Sequence, residues 1–260
     1  MSTPGRSAPA GDFDYEAPGI DYARYRQPEP AFLDAIIEAL GGARSLINVG
    51  AGAGSYEPGH LEVTPVEPSA AMRAQRPDRL APAVDAVAED LPFPDQSFDA
   101  ALASFTVHQW KDLARGLAEV RRVTRGPIVV LTFDPELLVE FWLKDYLPEL
   151  LAAEAARMPS MGRLGEALGG RCEVVALPVP ANCTDGILEA YFGRPESFLD
   201  EGVRRAQSSW AFVDPQVQAR SIARLSTALD TGEWDGRYGY LRSAPSYLGS
   251  LRLIVAQAYS

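Results

Sequence analysis

Hydrophobic residues along the chain follow two patterns that alternate from residue 31 onward. Short apolar runs are typical of buried strands in a parallel sheet, and apolar residues repeated every three or four positions are typical of helices packed on a sheet. The predicted strands are 45–49, 61–66, 82–87, 98–103, 127–132, 172–177 and 251–256. The predicted helices are 31–40, 69–75 with Ser69 as its N-terminal cap, 111–123 and 137–157, the last interrupted at Pro148. Strands alternating with helices at this spacing predict an α/β fold with a doubly wound, mostly parallel, seven-stranded sheet.

The segment between the last two predicted strands sets the domain organisation. At about 70 residues it exceeds an ordinary connection, so it must carry structure of its own. Helices are predicted in it near 186–191, 201–208 and 215–229. The predicted organisation is a disordered tail at 1–11, a main domain formed by 12–178 with 247–260, and a helical cap inserted at 179–246.

Composition and charge exclude several classes of partner. The chain has 24 Lys and Arg against 35 Asp and Glu, a net charge of −11. Such a surface repels phosphate backbones, so nucleic acid is not expected as a partner. No apolar run approaches the roughly 18 residues of a membrane span, so no membrane association is expected. Residues 1–11 lack the apolar core of a signal peptide, and two cysteines cannot form a disulfide framework, so a cytoplasmic location is expected.

A turn with three alternate glycines follows the first predicted strand. Gly50, Gly52 and Gly54 lack a Cβ, so a ligand can lie directly on the backbone there. The second predicted strand ends at Glu67, a carboxylate placed to accept hydrogen bonds from a ribose diol. Together these features predict a nucleoside site at the carboxyl edge of the sheet. The third glycine comes one position too early for the dinucleotide fingerprint and Ser55 takes its usual place, so NAD is disfavoured.

Three sequence blocks resemble one enzyme family. Residues 49–54 and 66–69 are similar to the first and second motifs of class I S-adenosylmethionine-dependent methyltransferases. Residues 88–99, Ala-Glu-Asp-Leu-Pro-Phe-Pro-Asp-Gln-Ser-Phe-Asp, resemble a block of the small-molecule methyltransferases that include ubiquinone and menaquinone C-methyltransferases. The resemblance covers about residues 20 to 133. It implies a Rossmann-like sheet whose last strand is antiparallel, and S-adenosylmethionine as the cofactor.

The resemblance also implies which residues contact the cofactor. The glycines would hold its methionyl part, Glu67 its ribose hydroxyls, and residues 88–90 the adenine edge. Tyr22 and Arg26 belong to an aromatic and basic segment that folds over the cofactor in this family. The expected set is Tyr22, Arg26, Asn48, Gly50, Gly52, Gly54, Glu67, Pro68, Met72, Ala88, Glu89, Asp90, Leu91 and Ser104.

Some of these residues have equally ordinary structural interpretations. Arg26 could pair with the methionyl carboxylate, because a planar guanidinium suits a carboxylate, or it could hold the first helix on the sheet. Met72 could flank the adenine ring or be core. Family members usually carry an acid where this chain has Asn48 and an aspartate where it has Val87. A charge near the ammonium of the cofactor and an acceptor for adenine are therefore missing, although Glu89 could supply the second.

Candidate residues for catalysis and for the substrate pocket lie after the fourth predicted strand and in the cap. His108 could take a proton from the acceptor, or it could be a structural histidine bonded to backbone. Trp110 could close the site or pack under the next helix. Residues 184–204 resemble a cap found in one bacterial branch of the family, in which Tyr191 and Arg194 would line the substrate pocket or belong to the core of the cap.

The sequence therefore predicts methyl transfer from S-adenosylmethionine to a small-molecule acceptor. A secondary metabolite or a quinone-like compound fits, and the accepting atom can be oxygen, nitrogen or carbon. The alternatives are a regulatory protein that binds the cofactor without transfer, and an enzyme that uses the cofactor for other chemistry. No spacing of His and Cys indicates a metal site. The oligomeric state stays open.

Overall fold

The structure is a computed structural model, and it describes residues 22–257 except the side chains of residues 22 and 23. The tail predicted at 1–11 and the side chain of Tyr22 lie outside the described residues.

The described residues form helices and strands in alternation. The strands are β1 (Ser45–Val49), β2 (Glu62–Val66), β3 (Ala100–Ser104), β4 (Ile128–Phe133), β5 (Cys172–Ala176), β6 (Val179–Pro180), β7 (Ser246–Tyr247) and β8 (Leu251–Ala256). The α-helices are α1 (Tyr22–Tyr25), α2 (Pro30–Leu40), α3 (Ala70–Ala74), α4 (Leu113–Val123), α5 (Pro135–Leu138), α6 (Pro148–Arg157), α7 (Met161–Leu168), α8 (Glu201–Arg205), α9 (Pro215–Asp230) and α10 (Glu233–Tyr238). Turns of 3₁₀-helix are Val107–Gln109, Trp142–Asp145, Leu188–Tyr191, Pro195–Leu199, Ser208–Phe212 and Gly239–Ser243.

The main sheet confirms the predicted topology. Its order is β2-β1-β3-β4-β8-β5, with β1 parallel to β2 and β3, and β3 parallel to β4. Strand β8 is antiparallel to both β4 and β5, as expected for the last strand. The order reverses at β1, and the carboxyl ends of β1 and β3 therefore flank a crevice where α/β proteins bind ligands.

The sheet has six strands, so the prediction of seven is wrong. The missing strand is the one predicted at 82–87, where Val84 alone forms a bridge, with Val66. Val84 N donates to Pro65 O at 2.8 Å and Glu67 N donates to Val84 O at 3.0 Å. One step earlier in this register the donors would be the nitrogens of Pro65 and Pro82. Neither nitrogen carries a hydrogen, so the ladder cannot extend in that direction. One step later Glu67 O accepts from Arg73 Nη1 at 2.8 Å.

Helix boundaries follow local signals where the helices pack on the sheet. Ser69 caps α3 by accepting from Met72 N, as predicted, and Asp112 caps α4 by accepting from Arg115 N. The continuous helix predicted over 137–147 is wrong. Helix α5 ends at Leu138, a 3₁₀ turn follows, and Pro148 begins α6 instead of interrupting a helix. Proline suits the first turn of a helix because it has no N–H to leave unpaired there.

The segment between β5 and β8 is mostly helical, as predicted, but its elements differ in detail. The predicted helix near 186–191 is a 3₁₀ turn, and the one near 201–208 ends at Arg205. Helix α9 matches its prediction closely, whereas α10 and the β6–β7 pair were not predicted. Aromatic side chains fill the interior of this segment. Trp234 and Phe198 lie against Trp142 with ring centroids 5.4 and 5.7 Å apart.

Two hydrophobic layers cover the two faces of the main sheet. One contains the buried residues of α4 and α7, and Ile47, Ala101 and Val130 face it from the strands. The other contains α2 and the aromatic residues of the segment between β5 and β8. Alternate strand residues face opposite layers, so each parallel strand is apolar on both sides.

Candidate active site

The glycine turn lies at the carboxyl end of β1 and is held against β2. Gly50 N and Ala51 N both donate to Val66 O, at 2.8 and 2.9 Å. Gly50 and Gly52 have φ values of +75° and +53°, which side chains other than glycine rarely adopt. A Cβ at position 50 would lie 2.0 Å from Thr106 Oγ1. The loop after β3 therefore packs directly onto the backbone of the turn.

Glu67 holds the turn from the end of β2. Its Oε2 accepts from Gly52 N and its Oε1 accepts from Ser69 N, both at 2.8 Å. The residue is buried, and burial raises the pKa of the carboxyl group above its usual value. The backbone bonds from Ser69 and Gly52 act in the opposite direction. Two oxygens that each accept one amide retain further lone pairs, so Glu67 can also accept from hydroxyl groups.

A pocket opens over the turn, and we call it the glycine-turn pocket. It is lined by Arg26, Gly50, Ala51, Gly52, Ala53, Ser55, Tyr56, Glu67, Ser69, Met72, Ser104, Phe105, Thr106, Gln109 and Asp185. Of the cofactor residues predicted from the sequence, the pocket brings together Arg26, Gly50, Gly52, Glu67, Met72 and Ser104.

Asn48 and Gly54, which were also predicted as cofactor residues, do not line the pocket. Asn48 is fully buried, and its Nδ2 donates to Glu57 Oε1 at 3.1 Å. Glu57 forms a buried ion pair with Arg76 at 2.9 Å. A Cβ on Gly54 would lie 2.3 Å from Leu80 and 3.2 Å from Arg76. These contacts support the turn on the side away from the pocket. The carboxylate of Glu57 accepts a hydrogen bond from the amide of Asn48, and an ionised acid at position 48 could not donate that bond.

A polar network closes the far side of the pocket. The guanidinium of Arg26 pairs with Asp185 through Nε. The hydroxyl of Tyr56 donates to Asp185 Oδ2 at 2.6 Å and accepts from Glu29 N at 3.2 Å. Burial and the Asp185 carboxylate raise the pKa of Tyr56 far above its usual value, so the hydroxyl keeps its proton.

The rings of Phe105 and Phe133 lie between this network and the hydrophobic layer that contains α2. Phe105 stacks on Phe133 with centroids 5.2 Å apart and meets the edge of Tyr56 at 6.2 Å. Arg26 lies over the Phe105 ring at 5.6 Å. Phe105 and Tyr56 both have positive φ, at 52° and 61°. Such conformations cost energy in residues other than glycine and are concentrated at functional sites.

The residues predicted at the adenine edge lie outside the pocket lining. Ala88 and Leu91 are buried in the layer with α4. Glu89 Oε1 accepts from Asp112 N at 3.0 Å, and Leu91 N donates to Glu119 Oε2 at 3.1 Å. Pro68 and Asp90 are not among the lining residues either. Their role as cofactor contacts stays a prediction.

The predicted catalytic histidine lies beside the pocket. His108 belongs to the 3₁₀ turn after β3, and its Nε2 is 3.4 Å from Nε2 of Gln109, which lines the pocket. Trp110 packs on α4, because a Cβ at Gly116 would lie 2.6 Å from its ring. This contact matches the second interpretation of Trp110, packing under the next helix.

Of the two substrate residues predicted in the segment between β5 and β8, Tyr191 lies in the hydrophobic core and Arg194 is exposed. Tyr191 is buried, and its ring centroid is 5.5 Å from that of Phe198. Arg194 covers the Tyr191 ring at 5.3 Å and donates to Ala190 O at 2.9 Å. Neither residue lines the glycine-turn pocket.

Sequence reasoning missed several lining residues. Phe105, Thr106 and Gln109 directly follow β3, so the position of that strand beside β1 was a usable signal. Tyr56 and Asp185 had no comparable signal, because they are 129 residues apart in the sequence. Within the described residues, every helix is too short or too polar to span a membrane, and His, Cys, Asp and Glu side chains do not gather in groups of three or more that could hold a metal ion.

The parallel sheet, the glycine turn and the buried acid after β2 define a Rossmann-like protein with a candidate nucleoside pocket. Comparisons with known proteins show which family of Rossmann-like proteins this chain resembles. The methyltransferase domain family matches residues 47–127. A crystal structure of a candidate methyltransferase from an antibiotic biosynthesis pathway of Anabaena variabilis is 30% identical, with a TM-score of 0.82, and the match covers 90% of this chain and 99% of that one.

Two curated relatives are methyltransferases. The ubiquinone/menaquinone biosynthesis C-methyltransferase of Citrifermentans bemidjiense is 45% identical over 70 residues, which cover 24% of this chain and 30% of the relative. The malonyl-(acyl-carrier protein) O-methyltransferase of Halorhodospira halophila is 34% identical over 146 residues, 49% of this chain and 48% of the relative. The alignments thus span less than half of either curated relative. This chain belongs to the class I S-adenosylmethionine-dependent methyltransferases, a family of enzymes.

Proposed function

We propose that this protein transfers a methyl group from S-adenosylmethionine to a small-molecule acceptor of the secondary-metabolite or quinone-like type. The observation that carries the proposal is the glycine turn clamped by Glu67, which binds Gly52 N and Ser69 N. A cytoplasmic location and a helical cap formed by residues 179–246 on a domain of 12–178 and 247–260 belong to the same proposal.

The lining of the glycine-turn pocket fits S-adenosylmethionine. A Cβ on Gly52 would already lie 3.2 Å from Met72 Cε, so bare backbone leaves the floor of the pocket open. Glu67 would hold the ribose hydroxyls, and Gly50 and Gly52 would support the methionyl part. The charged lining residues are Arg26, Glu67 and Asp185, a net charge of −1 with all three ionised. The cofactor carries a sulfonium, an ammonium and a carboxylate, a net charge of +1, which complements the pocket.

The acceptor class is supported by relatives and by the cap. The structure matched over nearly all its length is a candidate methyltransferase of antibiotic biosynthesis, and the two curated relatives act in quinone biosynthesis and on a malonyl group. The cap brings Asp185 to a pocket that Tyr56 and Phe105 also line, and the two aromatic rings suit a largely apolar acceptor.

The residues of the chain have three tasks in this reaction. When bound, S-adenosylmethionine supplies an electrophilic methyl carbon that bonds to the acceptor while the carbon–sulfur bond breaks and its electron pair stays on sulfur. Phe105, Tyr56 and Phe133 exclude water from one side of the pocket, and the turn fixes the donor in position. A hydroxyl or amine acceptor must also lose a proton, and His108 beside Gln109 is the proposed base.

Calorimetry with S-adenosylhomocysteine tests the pocket. Glu67→Ala is expected to weaken binding by about tenfold or more, because it removes a charged acceptor. Gly52→Val is expected to do the same, because its side chain enters the pocket and its φ is unfavourable. Glu62→Ala, an exposed acid on β2, is the control and should bind normally. Wild-type affinity in both pocket variants would show that the cofactor binds elsewhere.

A label-transfer assay tests the reaction itself. The protein is incubated with methyl-labelled S-adenosylmethionine and a metabolite extract. Labelled product supports methyl transfer. Binding without consumption of the donor supports a regulatory protein, and a new product without label supports other chemistry with the same cofactor.

A further inference from the structure

Asp185 comes from the cap and reaches into the glycine-turn pocket. It lies near the start of the segment between β5 and β8, and it lines the pocket together with Gly50 and Gly52. Asp185 is 3% exposed, so its carboxylate is almost fully removed from water. Burying a charge is costly unless other groups compensate it, so a carboxylate retained at this place requires partners.

Two partners of Asp185 are present in the structure. Arg26 pairs with Oδ1 through Nε, and Tyr56 donates its hydroxyl to Oδ2 at 2.6 Å. An ionised carboxylate has about four acceptor positions, so two bonds leave room for further donors. The donors that are still missing would have to come from the side of the pocket.

The position of Asp185 in the pocket follows from a series of contacts. Glu67 binds Gly52 N on the ribose side. Thr106 packs on Gly50 in the middle, and its neighbour Phe105 meets Tyr56 and Arg26 at centroid distances of 6.2 and 5.6 Å. Asp185 binds both Tyr56 and Arg26. Glu67 is thus bonded to Gly52 and Ser69, whereas Asp185 is bonded to Tyr56 and Arg26, so the two acids border different parts of the pocket.

The first strand supplies no charge to this part of the pocket. Asn48 is neutral, and its Nδ2 donates to Glu57 Oε1. Glu57 is paired with Arg76 and does not line the pocket. Asp185 is paired with Arg26 but does line the pocket, so apart from Glu67 it is the acid that a cation bound there can reach.

We propose that Asp185 binds the α-ammonium group of the amino-acid part of the cofactor, while Arg26 faces its carboxylate. This inference rests on the proposed function. An opposed acid and guanidinium match the two charges of an amino-acid zwitterion, and hydrogen bonds to charged groups are the strong ones. The cap then contributes directly to cofactor binding, because Asp185 can reach the pocket only when the cap is docked on the glycine turn.

A pair of ligands isolates this contact. S-adenosylhomocysteine and its deamino analogue, which has hydrogen in place of the amino group, differ only in the ammonium. By calorimetry the wild-type protein is expected to prefer the first by about tenfold or more, the effect of one charge-assisted hydrogen bond. Asp185→Asn is expected to abolish the preference and to leave the affinity for the deamino analogue nearly unchanged. Asp214→Asn, an equivalent change at the N-cap of α9, should retain the preference.

Each other outcome has a definite meaning. If Asp185→Asn lowers the affinity for both ligands equally, Asp185 only positions Arg26 or the turn, and the inference is overturned. A wild-type protein that binds both ligands with equal affinity would also overturn it. If Asp185→Asn lacks a cooperative thermal transition, Asp185→Glu replaces it. This variant keeps the charge but shifts the carboxylate, so an unchanged ratio of affinities would overturn the inference. A wild-type protein that binds neither ligand refutes the proposed function itself.

Discussion

The buried carboxyl group of Glu189 is expected to make the stability of this protein depend on pH. The residue lies in the 3₁₀ turn Leu188–Tyr191 and is 0% exposed. Ser250 N, just before β8, donates to its two oxygens at 2.9 and 3.0 Å. Burial raises the pKa of this carboxyl group from 4.5 to about 7, while Ser250 and the positive charge of Arg252 act in the opposite direction. Tyr247 also faces Glu189, and its own pKa is raised, mainly by burial.

The raised pKa determines the sign of the effect. The folded protein holds this proton more tightly than the unfolded chain, so the contribution of Glu189 to stability is complete below pH 4.5 and is lost as the pH rises through about 7. The difference between 4.5 and about 7 corresponds to about 3 kcal/mol above that window. Glu189→Gln removes the titration but keeps an oxygen that can accept from Ser250 N.

Urea unfolding of wild type and Glu189→Gln measures the effect. Their free energies of unfolding should be similar near pH 5, and near pH 8 the variant should be more stable by up to about 3 kcal/mol. Other titrating groups, such as Glu67, are present in both proteins and cancel in the difference. Glu201→Gln, an exposed change in the same segment, should follow the wild-type curve. A difference between wild type and Glu189→Gln that stays constant with pH would refute the reasoning.

Two further predictions concern the glycine turn and the proposed base. Gly50→Ala should lower the free energy of unfolding by more than about 1 kcal/mol, because its φ is +75° and its Cβ would lie 2.0 Å from Thr106 Oγ1. In the same thermal denaturation Gly42→Ala, where a Cβ meets nothing within 4 Å, should change little. His108→Ala should lower turnover by about a hundredfold without changing cofactor affinity, while His60→Ala keeps both; full activity of His108→Ala would end its role as the base.

Local patterns in the sequence were sufficient for most of the sheet. The predicted strand at 45–49 coincides with β1, and 251–256 coincides with β8. Apart from Ser45, Asn48 and Arg252 their residues are apolar, because the strands are buried on both faces, and such a pattern does not depend on distant residues. The cap of α3 by Ser69 was equally readable, because a capping bond spans three residues.

The strand predicted at 82–87 failed for a reason that lies outside its own sequence. Its residues are apolar enough for a strand, but in the register that the sheet adopts the next two donors of the ladder would be Pro65 and Pro82. Only the pairing of the two segments shows that neither proline can donate to the ladder. The number of strands was therefore decided by tertiary structure.

Part of the candidate site could be predicted from the sequence, and the rest was decided by the tertiary structure. The glycine turn and Glu67 were identified from the sequence, because a strand, a turn without Cβ atoms and an acid lie close together along the chain. Side-chain directions could not be predicted from the sequence. In the structure Glu89 binds Asp112 N and Trp110 packs on Gly116, both away from the pocket. Asp185 and Arg26 are 159 residues apart and meet only because the segment between β5 and β8 packs near the turn. Sequence periodicity is local, whereas the choice of partner for a buried charge depends on how distant segments pack.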